Sequence, residues 1–198
     1  LSTGMNDIES IRPAVNIFTE YRIPFALLHC VSLYPTAYEQ VSLGALDDLK
    51  HHFPNAVIGV SDHSIGNYIP FAAVALGGGA ILEKHFTSSH NWCGPDIPLS
   101  ILPHELADLI HGSSAIFSAL GGTKIILPEE QPTINFAYSS VVAIDPIRQG
   151  ERLTTKNVWV KRPGTGQIKA KDYENVLNKT ARRAISIDTQ ITWDMLND

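Results

Sequence analysis

Two patterns of apolar and polar positions alternate along the first 120 residues. Nearly continuous apolar runs, typical of strands buried on both faces of a parallel sheet, occupy residues 25–32, 55–62 and 79–86. Segments with helical spacing, or rich in small apolar residues, occupy residues 41–53, 68–78 and 102–120. Because strand and helix recur at intervals of about 25 to 30 residues, the pattern predicts βαβ units and a parallel α/β fold.

The first residues of the chain have the pattern of the end of a secondary-structure element. "LSTG" at residues 1–4 is typical of the end of a strand and its turn, and Asn6 with Glu9 predicts a capped helix start. A strand with no earlier strand beside it suggests a chain that begins inside a fold. We therefore count four strands in this region.

Polar residues gather where the apolar runs end. Ser61, Asp62 and His63 end one run, and Glu83, Lys84 and His85 end the next. In a (β/α)₈ barrel the carboxyl ends of the strands carry the active site. The pattern therefore places a candidate site at this edge of the sheet.

Alternation along the strands divides these residues between two faces. Glu83 and His85 share one face and Lys84 lies on the other, while Ser61 and His63 share a face in the same way. Two neutral imidazoles at the ends of neighbouring strands could hold one divalent cation and leave coordination positions open. The alternative interpretation is that each histidine only forms hydrogen bonds.

The other histidines and the two cysteines favour structural roles. His29 lies inside its strand, and we expect it to be buried with a hydrogen-bond partner. The histidines expected at the surface are His51, His52, His90, His104 and His111. Cys30 and Cys93 form no disulfide framework, which favours small apolar roles and a reduced, cytoplasmic setting.

After residue 120 the pattern changes. Residues 121–140 combine Gly, Pro, Thr and Glu without a clear period, and a linker is predicted at 123–138. Residues 139–198 contain short β-rich pieces divided by turns, with one short helix predicted at 171–185. The chain is thus predicted to hold a first domain at 1–122 and a small β-rich domain at 139–198.

Composition narrows the class of protein. The 198 residues are 44% hydrophobic and 18% charged, enough to bury a sizeable core. The net charge of −5 argues against nucleic acid or an anionic membrane as a partner. No stretch approaches the roughly 18 apolar residues of a membrane span.

Six motifs stand in order along almost the whole chain. They are "LSTGM", "LLHCVSLYPT", "GVSDHSIG", "EKHFT", "GPD" and "VKRPGTG". In these motifs the chain resembles the sialic acid synthase family. The resemblance implies the C-terminal half of a (β/α)₈ TIM barrel followed by a small antifreeze-like (SAF) domain.

The activity that the resemblance implies is a condensation. Members of the family join phosphoenolpyruvate to an N-acylated amino sugar such as N-acetylmannosamine, giving a nonulosonic acid and phosphate. They use a divalent metal, Mn²⁺ or Mg²⁺. They work as domain-swapped homodimers, in which the small domain of one subunit covers the barrel of the other.

The motifs also imply roles around phosphoenolpyruvate and the metal. By resemblance His63 and His85 bind the metal, and Ser61 contacts phosphoenolpyruvate. Ser32 stands at a second phosphoenolpyruvate position, where the family often has Asn.

Further positions match residues around the amino sugar. By resemblance Tyr34, Glu83 and Asp96 surround the sugar, and Glu83 and Asp96 join His85 as catalytic residues. Arg162 matches an arginine that reaches into the partner's site to hold the N-acyl group.

The motifs of the first half of the barrel are absent from these 198 residues. We therefore expect the C-terminal part of a synthase, inactive as an isolated fragment. Two other classes stay open: a non-catalytic fragment that binds a carbohydrate or a partner, and a metal-dependent TIM-barrel hydrolase.

Overall fold

The computed structural model describes residues 1–197, which fold as two compact units divided between residues 122 and 123. The first unit contains a parallel sheet of β1 (Ala26–Cys30), β2 (Val57–Asp62) and β3 (Leu82–Lys84), in that order. Its helices are α1 (Ile8–Glu20), α2 (Ala45–His52), α3 (Tyr68–Ala75) and α4 (Pro103–Ala119). The predicted parallel α/β arrangement is confirmed, and the strands and helices lie within the predicted segments.

Short parallel bridges extend the sheet beyond both edge strands. Ser2 pairs with Leu28 of β1, and Phe86 after β3 pairs with Ile101. The "LSTG" segment therefore runs parallel to β1 at this bridge, and its being the end of a strand stays a prediction. Closure of these strands into a barrel stays a prediction.

One face of the sheet is buried by helices. Leu27, Ile58 and Val60 project from this face into a core that also holds Leu46 of α2 and Ala73 of α3. Side chains of neighbouring strands at the same register lie on the same face. The opposite face therefore carries the row of register partners Cys30, Ser61 and Glu83.

Helix α1 begins one residue later than Asn6 and Glu9 indicated. Asp7 is the N-cap: its Oδ1 accepts from the Ser10 amide at 2.9 Å, and the Ser10 hydroxyl accepts from the Asp7 amide at 2.9 Å. The Ser10 hydroxyl also donates to Asp7 Oδ1 at 2.7 Å, and this bond, together with the one from the Ser10 amide, holds the pKa of Asp7 below its ordinary value. Ser10 thus takes the part expected of Glu9, which pairs instead with Arg12 at 2.9 Å.

The second unit is a small β-rich fold. Antiparallel pairs join β4 (Ser140–Ala143) to β5 (Val158–Lys161) and β6 (Thr180–Ala181) to β7 (Leu196–Asn197). Its core consists of small and branched side chains, including Val141, Leu153, Val158, Ile168, Val176 and Ile191. The β-rich character predicted for this region is confirmed.

Two predictions around this unit are wrong in detail. The predicted linker contains helix α5 (Gln131–Ala137). The predicted helix at 171–185 is a 3₁₀ helix at Ala170–Asn175 followed by β6. Asn178 interrupts it with φ of +70°, a left-handed value that ends a right-handed helix.

Both cysteines are free thiols, as the sequence analysis expected. Among the described residues, 1–197, we find no helix with the length and apolar character needed to cross a membrane.

Gly59 of β2 allows the neighbouring chain to approach closely. A Cβ at this position would lie 2.5 Å from the Ile81 carbonyl oxygen and 2.5 Å from Leu28 Cδ2. We expect Gly59→Ala to lower the free energy of unfolding by about 1–3 kcal/mol, as overpacking does. Chemical denaturation of the purified protein measures this.

Gly44→Ala is the matched control, because its φ is −58° and a Cβ there meets nothing within 4 Å. Its effect should stay within about 0.5 kcal/mol. Equal effects of the two substitutions would contradict the close-approach argument.

Candidate functional site

Three rings meet beyond the carboxyl ends of β1, β2 and β3. Tyr34 stacks on His63 with ring centroids 4.2 Å apart, and the His63 and His85 centroids are 5.2 Å apart. The Tyr34 and His85 rings are nearly perpendicular, with centroids 5.7 Å apart. We call these three residues the histidine cluster. The sequence prediction that His63 and His85 lie together is borne out by this geometry.

His63 is held from the β1 side of the sheet. The Nδ1 of His63 lies 2.8 Å from the Val31 carbonyl oxygen, and the Thr36 amide donates to the His63 carbonyl at 3.0 Å. A carbonyl oxygen only accepts, so Nδ1 carries a proton, and in the neutral ring Nε2 then keeps its lone pair. Metal-binding histidines are commonly oriented by such a bond to a backbone carbonyl.

His85 is more open than His63, which is only 6% exposed. The Nδ1 of His85 lies 3.8 Å from Asp96 Oδ2, too far for a hydrogen bond. The Ile101 amide donates to the His85 carbonyl at 2.8 Å and fixes the backbone there. Asp96, predicted from the "GPD" motif, thus lies beside the histidine cluster.

Ser61 and Glu83 are joined on the same face. The Ser61 hydroxyl donates to Glu83 Oε1 at 3.0 Å, with Ser61 buried and Glu83 exposed. Ser32 lies on the neighbouring loop, with its Oγ 4.0 Å from Cys30 Sγ. A Cβ on Gly4 would lie 2.3 Å from Ser32 Oγ, so glycine is what allows these segments to approach.

The donor set fits an incomplete metal centre. Within residues 1–197, no group of three or more His, Cys, Asp or Glu side chains is placed to hold a metal ion. Two imidazoles could supply two nitrogen ligands, and His63 Nε2 is free to do so. Mn²⁺ and Mg²⁺ prefer oxygen ligands, so water and substrate would have to complete such a site.

Arg162 belongs to the second unit, while the residues described above belong to the first. It is exposed and directly precedes a turn held from several sides. The Pro163 carbonyl accepts from Ser140 Oγ at 3.0 Å and from Gln190 Nε2 at 3.2 Å. The Gly164 amide donates to the Asn135 carbonyl of α5 at 2.8 Å, so the unpredicted helix helps to fix this turn.

The sequence indicated no role for the Asp62–Lys84 pair. Lys84 Nζ lies 2.7 Å from Asp62 Oδ2, and the two side chains are only 3% and 2% exposed. The available signal was the presence of two charged residues at the ends of otherwise apolar strands.

His29 has the role expected of it. Its Nε2 lies 2.6 Å from the Val41 carbonyl oxygen, and the residue is buried.

Comparisons with known proteins match both units. The NeuB family model matches residues 1–125, and the SAF domain model matches residues 138–197. An uncharacterised protein of Methanocaldococcus jannaschii is 41% identical over 198 residues, covering 99% of this chain and 58% of that protein. The N,N′-diacetyllegionaminic acid synthase of Campylobacter jejuni is 39% identical over 195 residues, covering 96% of this chain and 58% of the synthase.

Solved structures agree with these matches. The N-acetylneuraminic acid (sialic acid) synthetase of Leptospira borgpetersenii has a TM-score of 0.60 and 41% identity, covering 68% of this chain and 47% of that one. A spore coat polysaccharide biosynthesis protein of Bacillus subtilis has a TM-score of 0.57 and 30% identity, covering 99% and 60%. The chain therefore spans less than two thirds of the relatives it matches.

The tautomer of His63 can be tested without a ligand. We expect its neutral ring to carry the proton on Nδ1, because that atom faces the Val31 carbonyl. Long-range ¹H–¹⁵N NMR correlations at alkaline pH distinguish the two tautomers. Exposed His51 is the control and should show the Nε2–H form usual for a solvated imidazole. An Nε2–H form at His63 would contradict the assignment.

Proposed function

The chain belongs to the NeuB family of sialic acid synthases, and on this premise we propose that it forms the C-terminal part of a nonulosonic acid synthase. The proposed enzyme is a transferase that condenses phosphoenolpyruvate with an N-acylated amino sugar. The observation that supports this most strongly is the histidine cluster, in which His63 Nε2 has no hydrogen-bond partner within residues 1–197. The parallel sheet, with bridged segments at both edges, would be the last four strands of a (β/α)₈ TIM barrel.

The proposed reaction forms one carbon–carbon bond. C3 of phosphoenolpyruvate bonds to the aldehyde carbon of the sugar, water adds at C2, and phosphate leaves with cleavage of its C–O bond. A Mn²⁺ or Mg²⁺ ion held by His63 and His85 would supply Lewis-acid polarisation of the aldehyde oxygen. The Val31 carbonyl and the stacked Tyr34 ring keep His63 oriented for this.

The surrounding polar groups divide between the substrates. We assign Ser61 and Ser32 to phosphoenolpyruvate, and Tyr34, Glu83 and Asp96 to the sugar. The bond from Ser61 to Glu83 would link the two binding regions, since each residue then restrains the other. Glu83, His85 and Asp96 are the proposed catalytic group around the aldehyde.

The second unit would contribute recognition of the N-acyl group. Arg162 has a planar guanidinium whose donors suit an amide carbonyl, and the turn after it is fixed by hydrogen bonds. We propose that it acts on sugar bound by the partner subunit of a domain-swapped homodimer. The two free cysteines are compatible with a reducing, cytoplasmic setting.

The metal assignment is tested by alanine substitution in the full-length protein. His63→Ala and His85→Ala should each weaken Mn²⁺ binding by more than about tenfold. Each removes a metal ligand, and the loss of a residue that merely supports a ligand already costs about tenfold in affinity. Calorimetric titration measures the affinity. His104→Ala on α4 is the control and should bind as the unsubstituted protein does. Unchanged affinity in both cluster variants would refute the metal site.

The role of Arg162 is tested by Arg162→Lys in the full-length protein. This change keeps the charge and loses the planar fork, so the KM for the sugar should rise about ten- to a hundredfold, the value of a hydrogen bond from a charged group. The KM for phosphoenolpyruvate should change less. Arg148→Lys, on the same unit, is the matched control and should leave both constants unchanged.

Action across subunits has its own test. Full-length Arg162→Ala and His85→Ala subunits should each be inactive, and mixing them should restore one intact site per heterodimer. Failure to regain activity, when mass spectrometry shows subunit exchange, would contradict action in trans.

A further inference from the structure

A buried ion pair lies under the histidine cluster, on the helix-facing side of the sheet. Asp62 and Lys84 are register partners on β2 and β3, and they follow the apolar partners Val60 and Leu82 on that face. Their side chains are almost fully buried and 2.7 Å apart. A buried ion pair often stabilises a fold no better than apolar residues of similar size. Its geometry therefore calls for an explanation beyond stability.

The pair lies at the point where both strands end. Asp62 and Lys84 are the last partners of their strands, and His63 and His85 are the next residues along the chain. The spacing of the two imidazoles therefore depends on how β2 and β3 are joined at their last register position.

The residue after His63 is tied to the same pair. The Ser64 amide donates to Asp62 Oδ1 at 2.9 Å, and the Ser64 hydroxyl donates to Asp62 Oδ2 at 3.0 Å. Lys84 Nζ also donates to the Ser64 carbonyl. One ammonium group of β3 is thus bound both to the side chain of the residue before His63 and to the backbone carbonyl of the residue after it.

The other restraints on the two histidines come from different directions. His63 is bonded to Val31 and Thr36, which follow β1, and the His85 backbone is bonded to Ile101. On the cluster's own face, the Ser61–Glu83 bond also joins β2 to β3, but Glu83 is exposed. The buried link between the two histidine-bearing ends is the Asp62–Lys84–Ser64 network.

We propose that Asp62 and Lys84 are positioning residues that set the spacing of His63 and His85, and so tune the affinity of this pair for a divalent cation. The proposal rests on the metal role given to the histidines above. Two metal ligands that are free to move by about an ångström are no longer held in the geometry that binds the metal. The two charged side chains would therefore be needed because they form directional bonds between the ends of β2 and β3. Apolar side chains cannot form such bonds.

The test uses Lys84→Met and Asp62→Asn in the full-length protein, with two measurements. Calorimetry should show Mn²⁺ binding about tenfold weaker, as for loss of outer-shell support. NMR of the metal-free protein should show weaker ring-to-ring nuclear Overhauser contacts between His63 and His85. The matched control is Leu46→Ala, which opens the buried core at α2 and should lower the melting temperature without changing either measurement.

The outcomes separate the two proposals. If Lys84→Met and Asp62→Asn lower the melting temperature as Leu46→Ala does, yet keep Mn²⁺ affinity and ring contacts, the pair only stabilises the fold and the positioning role is refuted. If the unsubstituted protein binds no Mn²⁺, the proposed function fails, and the metal-free NMR contacts still decide whether the pair sets the ring spacing.

A milder substitution covers the case in which the charge variants do not fold. Ser64→Ala removes one hydroxyl bond to Asp62 and leaves the ion pair in place. It should shift both measurements in the same direction by a smaller amount. No shift in either would overturn the proposal.

Discussion

The register of three parallel strands is the constraint on which the first unit depends. Cys30, Ser61 and Glu83 are aligned across β1, β2 and β3, so the residues that follow each strand emerge at one edge of the sheet. Parallel pairing brings carboxyl ends together even though the residues lie far apart in the chain. A shift of one residue in β3 would move His85 to the opposite face. The histidine cluster is therefore a consequence of register as much as of residue type.

The same register gives the sheet two different faces. On β2 and β3 the helix-facing side is apolar until its last position, where Asp62 and Lys84 replace the aliphatic residues. The other side carries hydroxyl, carboxylate and imidazole groups, with Tyr34 packed over His63. The polar groups and the buried charged pair thus lie on opposite faces of the same strands, because side chains alternate along β2 and β3.

In the second unit, a small number of side chains fixes the turn that follows Arg162. Ser140 Oγ donates to the Pro163 carbonyl and accepts from the Gly166 amide at 2.8 Å, so one buried hydroxyl holds both ends of the turn after Arg162. Lys169 Nζ adds a bond to the Gly164 carbonyl at 2.6 Å. A long side chain on a turn held in this way has a defined point of origin, which is what recognition of a planar amide group requires.

The local pattern of apolar and polar residues determined much of the secondary structure of this protein. The physical reason is that each residue is apolar or polar according to whether its own position is buried or exposed. Apolar runs predicted β1 to β3, and polar residues after them predicted the site, since a buried strand tolerates ionisable groups only at its open end. Helix α5 and the strand β6 in place of the end of the predicted helix were not foreseen: α5 is bonded to the distant Gly164, and Asn178 takes a left-handed φ. Only the tertiary structure decided that Val31 orients His63, that Tyr34 covers it, and that Asp62 meets Lys84. Each of these contacts joins residues distant in the chain, and their pairing depends on strand register, which the sequence of a single strand does not encode.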